Sequence, residues 1–314
     1  MSRPIFIDPI DDGAADPTVI WNVAKAEWWM FYTNRRARHP GPDFDWIHGS
    51  AIGIATSKDG IDWRYHGTVK GLDDPAHPGL NTHWAPEVIR DGDSYHMFLT
   101  YIPGAPSRFF HHARNIYHFV SPDLETWQPL GMLKLRSDQV IDAAVAKCPD
   151  GLWRLWYKDE GDGSSTWSAT STDLVNWTLE GKVLPGKPDG NPHEGPNVFQ
   201  MGGWWWLIVD EWHGQAIFRS TDAIHWTRQG RMLDDPGTHP EDRRFARHAD
   251  VVVSGDEAAL FYFTHPGWAE TETPAPLTHG ERRTVVHVAR LTVQDGTLVA
   301  ERDVEPFALA PPAS

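Results

Sequence analysis

A degenerate motif, Ser-x-Asp-x-x-x-Trp, occurs four times in the chain: Ser57 to Trp63, Ser121 to Trp127, Ser171 to Trp177 and Ser220 to Trp226. Its tryptophans are 64, 50 and 49 residues apart. Ahead of each copy stands a strand-turn-strand pattern whose second strand is strongly apolar: Trp29–Tyr32, His96–Leu99, Arg154–Tyr157 and Trp206–Val209. A fifth apolar tetrad, Leu260–Phe263, has no closing motif. Strand-built repeats of about 40–50 residues, each too small to bury a core alone, predict an all-β chain folded as a five-bladed β-propeller. The expected blades are residues 16–65, 84–130, 142–180, 194–229 and 248–303, so residues 1–314 form one domain. Residues 4–8 read as a short strand joining the last blade, and the Ala/Pro-rich tail from Pro306 as a frayed end.

The repeat also fixes a register. Twelve residues before the start of the last four tetrads lie Trp84, Asp142, Glu194 and His248; thirteen before the first, where the turn Asn22–Glu27 reads one residue longer, lies Asp16. Equivalent positions on the innermost strands form one ring about the propeller axis. Three carboxylates and a histidine converging on a narrow channel are costly unless they are used. Singly, each has a plain reading: Asp16-Pro17 is a common turn pair, Glu194-Gly195-Pro196 could be a turn, and Asp142 could cap a blade edge. Their coincidence at one register argues for a site. The aspartates of the repeat, Asp59, Asp123, Asp173 and Asp222, are read as structural instead: Ser and Asp bond the backbone of the turn, and the Trp fills the gap between blades.

Blades three and four are neighbours, so Asp142 is expected beside Glu194 and to keep it protonated. Asp16 is expected to face Glu194 across the channel. An ionised base well separated from a raised-pKa acid is the arrangement of an inverting glycosidase. Asp16 then activates water, Glu194 protonates the leaving oxygen, Trp84 walls the sugar and His248 orients a carboxylate or a central ion. Glu87 falls three residues past the ring and reads as a supporting residue, grouped with the candidate sugar contacts. Long loops after the second strands, Asn34–Gly49, Ile102–Asn115 and Thr264–Arg282, carry Arg35, Arg36, Trp46, Phe109, His111, His265 and Trp268. Of these, Arg35, Arg36, Trp46 and His265 are candidate sugar contacts, with loop packing as their plain alternative. Loops of this length are expected to wall off the channel mouth and favour exo action.

Composition narrows the partners. A net charge of −15 argues against nucleic acid and anionic membranes. The lone Cys148 beside the turn Pro149-Asp150-Gly151 makes no internal disulfide and suggests no thiolate site. The N-terminus shows no apolar signal segment, which points to a cytoplasmic protein unless a signal was removed. No closely spaced His/Asp ligand motif supports a transition metal; a hydrated calcium near His248 is the more plausible ion.

Ala15-Asp16-Pro17, Trp84-Ala85-Pro86-Glu87, Val140-Ile141-Asp142-Ala143, Glu194-Gly195-Pro196-Asn197 and Arg247-His248-Ala249-Asp250 together resemble the successive signatures of glycoside hydrolase family 43. The resemblance spans nearly the whole chain. It implies a five-bladed propeller, an inverting mechanism, Asp16 as base, Asp142 as modulator, Glu194 as acid, and His248 in the channel near a bound calcium. Two positions depart from the pattern: Glu87 stands where Asp is usual, and Ala249 where Gly is usual. Both bear on substrate. The Asn-Asp-Pro-Asn and Arg-Asp-Pro signatures of the sibling fructan-cleaving families are missing. The leading expectation is an exo-acting hydrolase of arabinofuranoside- or xyloside-type ends of oligosaccharides. The alternatives are a related propeller glycosidase acting on a galactofuranoside or anhydro-sugar, a non-catalytic sugar-binding propeller, and a scaffold for protein partners.

Overall fold

The computed structural model describes residues 3–39, 41, 44–108, 112–268 and 277–312. Phe109 and His111 lie outside them. Five four-stranded antiparallel sheets follow one another along the chain. Blade one holds β1 (Ala14–Asn22), β2 (Glu27–Asn34), β3 (Ala51–Ser57) and β4 (Arg64–Thr68). Blade two holds β5 (Thr82–Asp91), β6 (Ser94–Ile102), β7 (Asn115–Ser121) and β8 (Gln128–Met132). Blade three holds β9 (Val140–Lys147), β10 (Trp153–Asp159), β11 (Ser165–Ser171) and β12 (Thr178–Leu184). Blade four holds β13 (Glu194–Met201), β14 (Trp204–Asp210), β15 (Gln215–Ser220) and β16 (Thr227–Met232). Blade five holds β17 (Arg247–Ser254), β18 (Glu257–Thr264), β19 (Val285–Gln294) and β20 (Thr297–Glu301), with the one-turn helix α1 (His279–Arg282) between β18 and β19. The first strands contact one another around a closed ring, which makes the propeller. The expected N-terminal strand is reduced to a single bridge, Phe6 to Val286.

The repeat motif closes each of the first four blades in the same way. Ser121 Oγ donates to Asp123 Oδ1 at 3.1 Å, and that oxygen accepts the backbone N–H groups of Glu125 and Thr126. The residue after the Asp takes a left-handed conformation in every copy: Gly60, Leu124, Leu174 and Ala223 have φ of 80°, 69°, 63° and 60°. The bonded side chains hold this turn against the cost that non-glycine residues meet there. The closing tryptophan then meets the second strand of the preceding blade edge-on. Trp127 packs on Phe31, Trp177 on Phe98, Trp226 on Trp156 and, across the closure, Trp63 on Phe261, with ring centroids 5.8–6.3 Å apart. Blade five lacks the motif; Val293 packs there against blade four in a cluster with Met201 and Trp206.

Along the axis, the first strands do not run as regular ladders. Each is bulged at its ring residue: pairing slips between Ala15 and Thr18, Trp84 and Glu87, Ile141 and Ala143, Glu194 and Asn197, and Arg247 and Ala249. Three bulges contain Pro17, Pro86 or Pro196, which lack the N–H that a ladder needs. Asp16 and Asp142 themselves adopt positive φ, 48° and 56°, whereas in blades two and four the next residue does so, Ala85 at 43° and Gly195 at 57°. Only glycine fits at 195, since an added Cβ would lie 2.6 Å from the His248 ring. A bulge turns one side chain away from the alternation of the strand. Repeated five times, it aims one residue per blade at the axis.

Candidate active site

The five ring residues do converge. Asp16, Trp84, Asp142, Glu194 and His248 all line one cavity of about 210 Å3 at the channel mouth. Arg35, Trp46, His265 and Trp268 from the loops line it too.

Bonds between blades hold the ring. Asp142 N–H donates to Thr100 Oγ1 at 3.0 Å, Ala85 N–H to Thr33 Oγ1 at 2.7 Å and His248 N–H to Asp210 Oδ2 at 3.1 Å. Asp142 Oδ2 accepts the Gly195 N–H at 3.0 Å, which ties its carboxylate to the backbone beside Glu194. Arg35 pairs with both oxygens of Asp16, at 3.2 and 3.3 Å, and its other guanidinium nitrogen lies 3.1 Å from His265 Nε2. His248 Nδ1 is 3.7 Å from Asp16 Oδ1. Trp84 donates its indole N–H to the Ile47 carbonyl at 2.7 Å and is flanked by His48 and the Arg114 guanidinium.

Glu194 departs from the expectation. Its Oε2 accepts from Lys158 Nζ at 2.9 Å and its Oε1 from the Trp212 indole at 2.8 Å. Burial raises its pKa, but the Lys158 ammonium and these hydrogen bonds outweigh burial and hold it down at about 2. Asp142 moves the other way: burial, opposed by His248 and reinforced by Glu194, pushes its carboxyl up to about 6. Glu194 is therefore held ionised and Asp142 is the more basic of the two, the reverse of the order that two adjacent carboxyls alone suggest. The cause is a lysine buried to 3% exposure. Lys158 also reaches Glu160 at 3.3 Å, and Glu160 in turn pairs with Arg114 at 2.9 Å.

Two expected sugar contacts lie elsewhere. Arg36 is a loop staple: it donates to the His48 carbonyl at 2.9 Å and lies 2.9 Å from His39 Nδ1. Glu87 sits deeper on the axis, where its Oε1 accepts the Val145 N–H at 2.9 Å. Burial and the charge of Asp250 push its carboxyl up to about 8. Asp250, itself raised to about 6 by burial, accepts from Val19 N–H at 2.7 Å and Asn197 Nδ2 at 2.9 Å. In this lower tier Glu87 ties blade two to blade three, and Asp250 ties blade five to blades one and four.

Lys158, Asp210, Glu160, Arg114, Trp212 and Arg247 were not singled out from the sequence. For two of them a signal existed. The residue following each apolar tetrad is Thr33, Thr100, Lys158, Asp210 and Thr264. Thr33 and Thr100 serve the neighbouring bulge, as Asp210 does, while Thr264 bonds the Glu241 carbonyl and His287; the lysine and aspartate put charged groups at this position in the half of the ring that holds Asp142 and Glu194. Asp210 is fully buried, and burial pushes it up to about 7 against the pull of Arg247.

For calcium, His248 offers one ring whose Nδ1 faces Asp16. Among the described residues no three His, Cys, Asp or Glu side chains converge as metal ligands. These donors do not build a calcium cage, and no chemical step here is routed through a cation.

A family profile described as a probable glycosyl hydrolase domain, the family 43-related group, matches residues 5–253. The chain belongs to that family. This family 43-related protein is a glycoside hydrolase, and the family match favours catalysis over the non-catalytic readings. Its fold is that of a thermostable family-43 glycoside hydrolase (TM-score 0.71, 18% identity, 97% of this chain and 99% of that one). A GH43_1 enzyme from Xanthomonas citri complexed with xylose is similar as well (0.68, 15%, 100% and 96%), as is a GH43 β-1,3-galactosidase with galactodeoxynojirimycin (0.70, 12%, 98% and 99%). Among curated proteins, a probable sucrose-6-phosphate hydrolase from Psychromonas ingrahamii is 30% identical over 151 residues, covering 42% of this chain. The matched part spans 27% of that relative's length.

Proposed function

We propose that this glycoside hydrolase acts with inversion and in exo fashion on a terminal arabinofuranoside- or xyloside-type sugar of an oligosaccharide. The observation that carries the reading is the placement of Asp16 and Glu194 on non-adjacent blades around one cavity, with Asp142 bonded to the backbone beside Glu194. Asp16, oriented by Arg35 and His248, removes a proton from water as the water oxygen attacks the anomeric carbon. The glycosidic C–O bond breaks, and Glu194 gives its proton to the departing oxygen. An inverting pair leaves room for that water, with carboxyls roughly 6.5–9.5 Å apart.

Glu194 must first be protonated. Lys158 already has a second carboxylate within reach in Glu160. A shift of the ammonium toward Glu160 as the leaving sugar enters frees Glu194 Oε2 and lets its pKa rise, with Asp142 as the neighbouring proton store. The cavity of about 210 Å3 is smaller than the roughly 300–1,000 Å3 of sites for drug-sized ligands, which favours one sugar ring over a polymer groove. Support for a pentose comes from one structural neighbour, the Xanthomonas citri enzyme, bound to xylose in one structure and to xylotriose in another.

A panel of nitrophenyl glycosides tests the glycone: cleavage of the arabinofuranoside or xyloside supports the reading, and cleavage of a galactoside alone replaces it. Proton NMR of the first-formed anomer tests inversion. An oligosaccharide ladder tests exo action, because early mid-length fragments would mean a groove.

A further inference from the structure

A second cavity, of about 180 Å3, adjoins the first and shares Arg35, Glu194, His265 and Trp268 with it. Glu194 lines both cavities, but Asp16 lines only the first. In an inverting site the acid stands on the side of the departing oxygen and the base on the opposite face. The second cavity is therefore the leaving-group side.

Its lining differs from a neutral sugar site. Besides Glu194 it presents two guanidinium groups, Arg35 and Arg247, between the aromatic faces of Trp212, Phe263 and Trp268. Burial, reinforced by Arg35 and Arg247, keeps His265 neutral. When Glu194 carries the proton it must donate, the described residues of this wall include two guanidinium cations and no ionised carboxylate. Arg35 keeps Asp16 on one nitrogen, but a guanidinium has five donors in a planar fork, and that fork matches carboxylate and phosphate oxygens. Trp212 is held there under strain. Its φ is +61°, and Asp210 Oδ1 fixes its backbone N–H at 2.6 Å. A bulky residue kept in the left-handed region signals a required position. That position puts the indole over the acid and along the second cavity.

We infer that the sugar on the leaving-group side carries an anionic group, a carboxylate or a phosphate, which the Arg35–Arg247 pair receives while Trp212 and Trp268 bracket the ring. The inference rests on the glycosidase reading and adds the class of the leaving group to it. An anion at this place does further work: lying near Glu194, it favours the protonated acid and offsets Lys158. The net charge of −15 acts against an anionic ligand at long range, but is screened beyond about 8 Å at physiological salt and leaves the local pair dominant.

The test uses the full chain and the terminal sugar identified with nitrophenyl glycosides. That sugar is joined to glucuronate, to glucuronate methyl ester and to glucose 6-phosphate, and kcat/KM is measured for each. An anionic leaving group is expected to exceed the ester by roughly tenfold, the worth of a charge-assisted hydrogen bond. Whether the carboxylate or the phosphate gives that excess identifies its source. Arg247→Met should bring the ratio to near one. Equal rates for acid and ester in the wild-type protein overturn the inference while the glycosidase reading stands. An unchanged preference in Arg247→Met removes it from this cavity. If no nitrophenyl glycoside is cleaved, it is the glycosidase reading that fails.

Discussion

Acidic residues at the rim of the propeller and on its axis behave in opposite ways. At the rim, Asp59 and Asp173 sit in open turns where backbone N–H groups, from Ile61 and Asp62 in one case and from Asn176 and Val175 in the other, hold their carboxyls below the usual range. On the axis, burial pushes Asp142, Asp210 and Glu87 up to about 6, 7 and 8. All are carboxylates, and the same repeated blade carries both regions. Solvent and donors make the difference: a carboxylate supplied with N–H bonds and water is stabilised as an anion, whereas one packed among like charges inside a channel is not. Regular acidic spacing is thus not evidence of chemistry until the environment is known. Glu194 is the exception on the axis, because Lys158 gives it at depth what the turn backbone gives the rim.

The largest expected effect separates the two regions outright. Asp16→Asn and Glu194→Gln should each lower kcat by about 10^2–10^4 with little change in thermal stability, as general acid–base groups do. Asp173→Asn, equally acidic and in a matching repeat, should leave kcat unchanged. A comparable loss from the rim variant would break the distinction.

Next comes a rim variant that attacks folding. Trp127 is 3% exposed and packs on Phe31 of the preceding blade. Trp127→Ala should cost about 3–5 kcal/mol in denaturant unfolding, with kcat per folded molecule retained. A loss in kcat instead of stability would mean that the blade joints transmit to the axis.

The exception at Glu194 can be sharpened. Lys158 depresses its pKa, so Lys158→Met should raise it, keep the acid protonated to higher pH and move the alkaline limb of kcat/KM upward by about one unit. Glu160→Gln leaves the ammonium wholly to Glu194 and should move the same limb downward. Limbs that move together in one direction would exclude competition for Lys158.

The smallest effect concerns stability against pH. Glu87 has a folded pKa near 8, above its unfolded value, so the folded state binds more protons between pH 4.5 and 8 and stability falls as pH rises through that window. Glu87→Gln should flatten the decline and raise Tm at pH 8 by a few degrees. Rim aspartates have the opposite sign: their contribution is present above the unfolded pKa near 3.8 and is lost as pH falls through the folded value. A steeper alkaline decline in Glu87→Gln would contradict this assignment.

Much of the architecture was legible because it repeats. A motif that recurs four times with an apolar tetrad ahead of it specifies blade number, strand order and the inter-blade tryptophans, all of which depend on local turns and nearest neighbours. The register of Asp16, Trp84, Asp142, Glu194 and His248 was legible for the same reason. Arg36 and Glu87 were misplaced because loop direction and depth along an axis leave no periodic trace. Lys158 and Asp210 were legible in principle, as departures from Thr33, Thr100 and Thr264 at one repeat position. Which carboxyl is ionised was not. That depends on Lys158 of blade three reaching Glu194 of blade four, and on Trp212 and Arg247 closing around it, contacts made only when the blades come together. The chain itself determined the ring, through local periodicity. The tertiary structure decided its charges, because the potential at a buried group is summed over neighbours from other blades.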